Sequence, residues 1–262
     1  MGSQKLLFFD IDNTIWDYDN FIPESTVRTI RAVRENGHKA FLCSGRGRGY
    51  IRSPELFDIG FDGVVSGCGT LIEIDGEILL YKKMTDEESL RTVETVRKYG
   101  MRPILEGKEY LYMDSEEFGD DWYMKKLTRE MGQRLKSISD NWGKWEISKV
   151  SCDSGEDRRE ECFKELEDIF DFIVHTSNVV EMVPKGFSKG TGILKVCELL
   201  GAEVSDTFAF GDGENDIEMI KTAGTGIAMG NGNAHARAEA DFVTRDIYHD
   251  GIYHACKYFE LL

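Results

Sequence analysis

The apolar positions of this chain fall into short solid runs separated by stripes of helical spacing. Leu6–Phe9, Lys39–Cys43 and Gly63–Ser66 are such runs, the pattern of buried strands. Between the first two, Val27, Ile30 and Val33 recur on one side of a helix predicted over Glu24–Asn36, and Gly37 ends it. A short helix is predicted after Ser44-Gly45-Arg46. Thr70–Tyr81 reads as a hairpin about Asp75-Gly76, a favoured two-residue turn. The opening stretch is therefore β-α-β-α-β.

From about Met84 the pattern changes. Leu90, Val93 and Val96 mark a helix over Asp86–Tyr99, followed by strands Arg102–Glu106 and Tyr110–Met113. A polar helix over Asp120–Met131, a strand over Trp145–Ser151 and a helix over Arg158–Phe170 come next, then strands Phe172–Thr176 and Val179–Val183. That order is typical of an α+β layer with helices on one face of a mainly antiparallel sheet. The βα alternation then resumes. Helix Ser188–Leu200 carries Ile193, Val196, Cys197 and Leu200 on one face. Strand Thr207–Phe210, helix Glu214–Thr222, strand Gly226–Met229, a helix at Ala234–Ala238, strand Phe242–Thr244 and a last helix over Gly251–Phe259 follow. The reading is a discontinuous parallel α/β core, residues 1–83 and 185–262, with an inserted α+β domain at 84–184.

Charge narrows the function classes. The 262 residues carry a formal net charge of −16, which opposes binding to nucleic acid or an anionic membrane and leaves room for a small anionic substrate at a local positive site. No run is apolar and long enough to span a bilayer, and no signal-peptide pattern opens the sequence. Cysteines 43, 68, 152, 162, 197 and 256 are scattered, with no CxxC pair, so reduced, buried thiols in a cytoplasmic protein are expected.

Two acidic clusters near opposite ends of the chain carry the chemistry. Asp10-Ile11-Asp12-Asn13-Thr14 follows one predicted strand and Gly211-Asp212-Gly213-Glu214-Asn215-Asp216 follows another. Ligands of open α/β sheets bind outside the carboxyl ends of the strands, so the two clusters should meet at one sheet edge. Carboxylates crowded there call for a hard cation, and Mg²⁺ is the simplest. Residues i and i+2 of an extended chain point the same way, so Asp10 and Asp12 face one space. One can bind metal and attack phosphorus, and the other can pass a proton.

Ser44 and the amides after it could cradle a phosphate at a helix N-terminus, or Ser44 could be a plain helix cap. Lys189 opens a helix against its dipole, which a nearby anion or carboxylate would explain; a solvated surface lysine is the plainer account. Within the second cluster, Asp212 is placed to reach metal. Asn215 can donate to a phosphate oxygen, and Asp216 can hold a metal-bound water or the lysine. An Asp/Asn-rich turn explains that composition, but not its pairing with the first cluster.

Together these segments resemble the haloacid dehalogenase superfamily, specifically its Cof-type phosphatases of subclass IIB. Asp10–Thr14 matches the first motif, Ser44 the second, Lys189 the third and Gly211–Asp216 the fourth, and Asp250-Gly251-Ile252 before a helix is also similar to that family. The resemblance spans the chain and implies a Rossmann-like core interrupted by a cap of the C2B type. It implies that Asp10 is the nucleophile and a Mg²⁺ ligand, and that Asp12 is the general acid/base with its backbone carbonyl on the metal. Ser44 and Gly45 would hold the phosphoryl group, Lys189 would neutralise it, Asp212 would complete the metal site, Asn215 would touch phosphate and Asp216 would stand behind them. Three positions depart from the pattern. Asn13 replaces the usual glycine, Ser44 the commoner threonine, and Ser66-Gly67-Cys68-Gly69 stands where the family often has asparagine and glycine.

The expected activity is a Mg²⁺-dependent phosphomonoester hydrolase acting through an aspartyl phosphate on a small phosphorylated metabolite, with a sugar phosphate foremost, in a monomer or weak homo-oligomer. A phosphomutase shares the first half-reaction. A non-catalytic phosphosugar-binding regulator is the reading from another class, and Asp10 with Asp12 argues against it. In the cap, Trp122, Trp142, Trp145, Tyr110 and Tyr112 are either stacking platforms or core, and Asp114–Asp121 is expected to be a solvated loop and helix start.

Overall fold

The computed structural model describes residues 3–153, 158–175 and 179–262. Its strands in chain order are β1 (Leu6–Phe9), β2 (Lys39–Cys43), β3 (Gly63–Ser66), β4 (Leu71–Ile74), β5 (Glu77–Tyr81), β6 (Arg102–Glu106), β7 (Leu111–Tyr112), β8 (Leu135–Lys136), β9 (Lys149–Asp153), β10 (Phe170–Val174), β11 (Val179–Pro184), β12 (Thr207–Gly211), β13 (Thr225–Ala228) and β14 (Phe242–Val243). Contacts divide the chain into two compact units. One holds residues 1–45, 52–80 and 187–262, and the other 46–51 and 81–186.

The first unit is built on one sheet in the order β14-β13-β12-β1-β2-β3-β4-β5. The strands from β14 to β3 are parallel, and β4 returns antiparallel to β3. Parallel strands need both faces covered, which is why β1 reads as unbroken apolar sequence. On one face Phe8 stacks on Phe41 at 5.1 Å, and Ile193 and Val196 of the helix Lys189–Leu200 close over them. Burying each aliphatic side chain there contributes about 1.5–3 kcal/mol. On the other face Phe9 stacks on Phe210 at 4.7 Å. With β1 central, between β12 and β2, the ends of these three neighbouring strands deliver Asp10, Asp212 and Ser44 to one edge. Asp75 and Gly76 both have positive φ (50° and 83°), the backbone that the predicted hairpin turn requires.

The second unit contains a six-stranded sheet, β10-β11-β9-β6-β7-β8, antiparallel except for the β7–β8 pair. Alternation splits its faces. Leu105, Val150, Cys152, Val180 and Met182 pack with Val93 and Val96 of helix Asp86–Lys98 and with Cys162 and Leu166 of helix Arg159–Leu166. The register Glu106↔Lys149 and Ser151↔Glu181 puts a polar set on the opposite face. Thr85 and Glu88 start the first helix with a reciprocal capping box.

Several expectations are corrected. The predicted strand over Trp145–Ser151 begins only at Lys149, and β8 has no apolar run to announce it. Trp145 is core, its indole N–H donating to the Ile138 carbonyl at 3.1 Å, and Tyr112 is core as well. The side chain of Trp122 and the strand end predicted at Thr176 lie outside the described residues. Asp114 is not solvated: it is buried, and accepts from Ser137, Ser139 and Arg97. All six cysteines are free and buried, as expected.

Candidate active site

Asp10 leaves β1 buried, its amide tied to the Phe210 carbonyl at 2.9 Å. Three amides then converge on the Ile11 carbonyl, those of Thr14, Ile15 and Trp16. That knot bends the chain sharply, and Asn13 sits at its apex with φ 57°. Asparagine is among the few side chains that tolerate this region, so the departure from glycine preserves the turn. The backbone carbonyl of Asn13 accepts from Asn231 Nδ2 at 2.8 Å. Asp12 is half-buried, and the Trp16 indole N–H donates to its Oδ1 at 3.1 Å.

Lys189 is 1% exposed. Its ammonium donates to Asp10 Oδ1 at 2.6 Å and Asp216 Oδ1 at 2.5 Å, with Asn215 Oδ1 at 3.4 Å. Carboxylates thus explain a lysine placed against the helix dipole, and Ser188, not Lys189, caps the helix. Burial works against the ammonium charge, but Asp10 and Asp216 overcome it and hold the Lys189 pKa well above its usual value.

Asp216 is fully buried and spends its second oxygen on the amides of Asp212 and Gly213, at 2.9 and 2.8 Å. A Cβ on Gly211 would fall 2.5 Å from that carboxylate, so only glycine fits there. The predicted helix over Glu214–Thr222 opens as a 3₁₀ turn at Glu214–Asp216 and becomes regular at Ile217.

Ser44 and Gly45 are buried at the end of β2, the next strand over. The Ser44 amide donates to the Val65 carbonyl at 2.8 Å, and its carbonyl accepts from Cys68 at 3.1 Å. The helix N-terminus expected here is absent. A 3₁₀ turn begins at Arg48, and the next helix, Pro54–Phe57, is capped by Ser53. Any cradle at Ser44–Gly45 is therefore a strand-end loop, built from a hydroxyl and local amides without a helix dipole.

Among the described residues, Asp10, Asp212 and Asp216 each offer an oxygen within 4.8 Å of the others. Burial first, and then Asp216, push Asp10 well above the usual carboxylate range despite Lys189. The same two causes push Asp212 up to about 8. One lysine does not balance the three clustered aspartates, and the donors are all hard oxygens, so the residues present suit Mg²⁺. Asp10 and Asp212 would hold it, while Asp216 is engaged with Lys189 and two amides.

Sequence reasoning missed Trp16 and Asn231. Asn231 links loops, accepting from the Ile247 amide at 2.9 Å while donating to Asn13. Neither residue belongs to an acidic cluster; the only signal was that a buried indole N–H must find an acceptor.

Residues 7–256 match the family model for haloacid dehalogenase-like hydrolase. The chain is 33% identical to "Putative phosphatase YkrA" of Bacillus subtilis over 98% of both chains. Among solved structures, a hypothetical protein of Geobacillus kaustophilus superposes with a TM-score of 0.84 at 27% identity, covering 99% of this chain and 100% of that one. The HAD subclass IIB sugar phosphatase BT4131 superposes with a TM-score of 0.83 at 25% identity, over 99% and 100%. With two acidic strand ends meeting around a buried lysine, these matches make the chain a member of the haloacid dehalogenase-like hydrolases, and a phosphatase.

Proposed function

We propose that this phosphatase is a Mg²⁺-dependent phosphomonoesterase that works through an aspartyl phosphate on a small phosphorylated metabolite, with sugar phosphates as the first class to test. The observation that carries the reading is the buried Asp10–Lys189 contact at 2.6 Å, with Asp212 crowded beside it. A carboxylate nucleophile would repel a phosphate dianion, and Lys189 offsets that repulsion. Asp10 and Asp212 would hold Mg²⁺, which would supply further neutralisation of the transferring group.

Asp10 attacks phosphorus while Asp12 gives a proton to the departing alkoxide. Asp12 then takes a proton from the water that hydrolyses the aspartyl phosphate. Ser44, Gly45 and Asn215 hold the phosphoryl oxygens. The inserted domain, 84–184, selects the leaving group. Sugar phosphates come first because the sugar phosphatase BT4131 shares the fold across 99% of this chain.

Purified protein is to be assayed for phosphate release from phosphorylated sugars, nucleotides and cofactors, with Mg²⁺ and with chelator. Release should require Mg²⁺, and Asp10→Asn should lower it by about 10⁴-fold or more with the fold intact. Activity near wild type in pure Asp10→Asn protein overturns the mechanism. Conversion of a phospho-sugar to its isomer without free phosphate would instead identify a mutase.

A further inference from the structure

Trp16 is 5% exposed and lies four residues after Asp12. The knot of amides on the Ile11 carbonyl turns the chain back so that Asp12 and Trp16 pair as an isolated bridge, and the indole returns onto the carboxylate, N–H to Oδ1 at 3.1 Å. We propose that Trp16 is the positioning residue of the general acid/base, pinning Oδ1 of Asp12 so that the proton travels on Oδ2. This rests on the phosphatase mechanism above and adds to it.

The chemistry of the donor carries the argument. An indole N–H donates and never accepts, so it can bond only to a lone pair of the carboxyl group. The carbonyl-type oxygen of a carboxylic acid is the stronger acceptor, so this bond favours the O–H on the oxygen the indole does not touch. The torsion that turns an aspartate carboxylate is broad and roughly two-fold, and a donor fixed in the core narrows it. Acid/base catalysis needs the opposite, a proton at one fixed place near the leaving oxygen. Trp16 also cannot take up the proton itself, so it orients the group without competing for its charge.

The proton balance follows. In the first half-reaction the Asp10 carboxylate forms a bond to phosphorus, the bond from phosphorus to the leaving oxygen breaks, and the Oδ2 proton passes to that oxygen, giving an alcohol and ionised Asp12. In the second, water oxygen bonds to phosphorus, its proton passes to Oδ2, and the Asp10–phosphorus bond breaks to release phosphate. Oδ1 stays on the indole throughout.

The test removes the N–H, and one of its two variants keeps the bicyclic ring. Trp16→Phe, and benzothienylalanine at position 16, which puts sulfur where the N–H was, are to be assayed on glycerol phosphate and p-nitrophenyl phosphate. The kcat/KM of the alkyl ester, which reports the reaction only as far as leaving-group departure, should fall by about tenfold, while that of the aryl ester, whose phenolate leaves without much protonation, should change little. Mg²⁺-induced melting shifts should match wild type in both variants. In an Asp12→Ala background the same replacement should have no further effect. Equal losses of kcat/KM on both esters, or the same loss without Asp12, make Trp16 a packing residue and overturn the inference while the phosphatase reading stands. Should Phe disturb the fold, the sulfur analogue, with the same outline, decides. Unchanged alkyl-ester turnover in Asp12→Ala alone takes down the acid/base assignment and this inference with it.

Discussion

Lys189 in the core and Lys149 in the cap are each almost wholly buried among carboxylates, 1% and 2% exposed, yet their surroundings differ in one respect. Around Lys149, Glu181 takes the ammonium and His175 at 2.8 Å, while Glu106 accepts from the Ser151 hydroxyl at 2.5 Å and the Gly47 amide at 2.6 Å. Burial alone would raise Glu181, but Lys149 and His175 prevail and hold it well below the usual range. Around Lys189, Asp10 and Asp212 are pushed the other way. The cap set has donors enough for its charges. The core set has carboxylates left over. A buried ion cluster is therefore not in itself a sign of chemistry; the sign is a surplus of one charge that the protein's own groups do not meet.

Removing a lysine sharpens the contrast most. Lys149→Met should destabilise the cap by about 3–5 kcal/mol, because the buried Glu181 carboxylate loses its ammonium. Urea unfolding measures it, and a cost under about 1 kcal/mol would break the view of this cluster as structural. Metal comes next. At about 100 times its dissociation constant, Mg²⁺ should stabilise the wild-type protein by about 2.7 kcal/mol. Asp212→Ala should lose that shift in a melting experiment, and Lys149→Met should keep it. A shift that survives in Asp212→Ala places the cation elsewhere.

The smallest effect concerns Asp114, buried in the cap. Burial raises its pKa, but Ser139, Ser137 and Arg97 outweigh this and bring it from 3.8 to about 2. A depressed carboxylate contributes stability that is whole above 3.8 and fades as pH falls through about 2. Asp114→Asn should therefore cost about 2 kcal/mol at neutral pH and flatten the acid limb of the stability curve in that window. An unchanged acid limb would remove Asp114 from the set of buried charges that the protein itself satisfies.

Legibility in the sequence followed the range of each interaction. Strands β1, β2 and β12 are continuous apolar runs and were readable as such, because a parallel strand buries both faces. The helix Lys189–Leu200 announced itself by spacing and by Ser188. The two-residue β8 did not, since its place depends on pairing with β7, far back in the chain. The missing helix after Ser44 shows the converse. A serine–glycine start signals a cap only if the following residues turn into a helix, and here Gly47 and Gly49 bond instead to Glu106 and Gly107.

By itself the sequence determined the two acidic strand ends, the hydroxyl at Ser44 and the lysine at Lys189, because each rests on local pattern. Only the tertiary structure decided how these charges are shared. It gave Asp216 to Lys189 and two amides, left Asp10 and Asp212 crowded, set Asn13 in a left-handed turn and brought Trp16 onto Asp12. The physical reason is that a side chain's type fixes what it can donate or accept, whereas its partner depends on which strand ends and loops fold against it. Across the sequence separation of 179 from Asp10 to Lys189, no spacing rule supplies that.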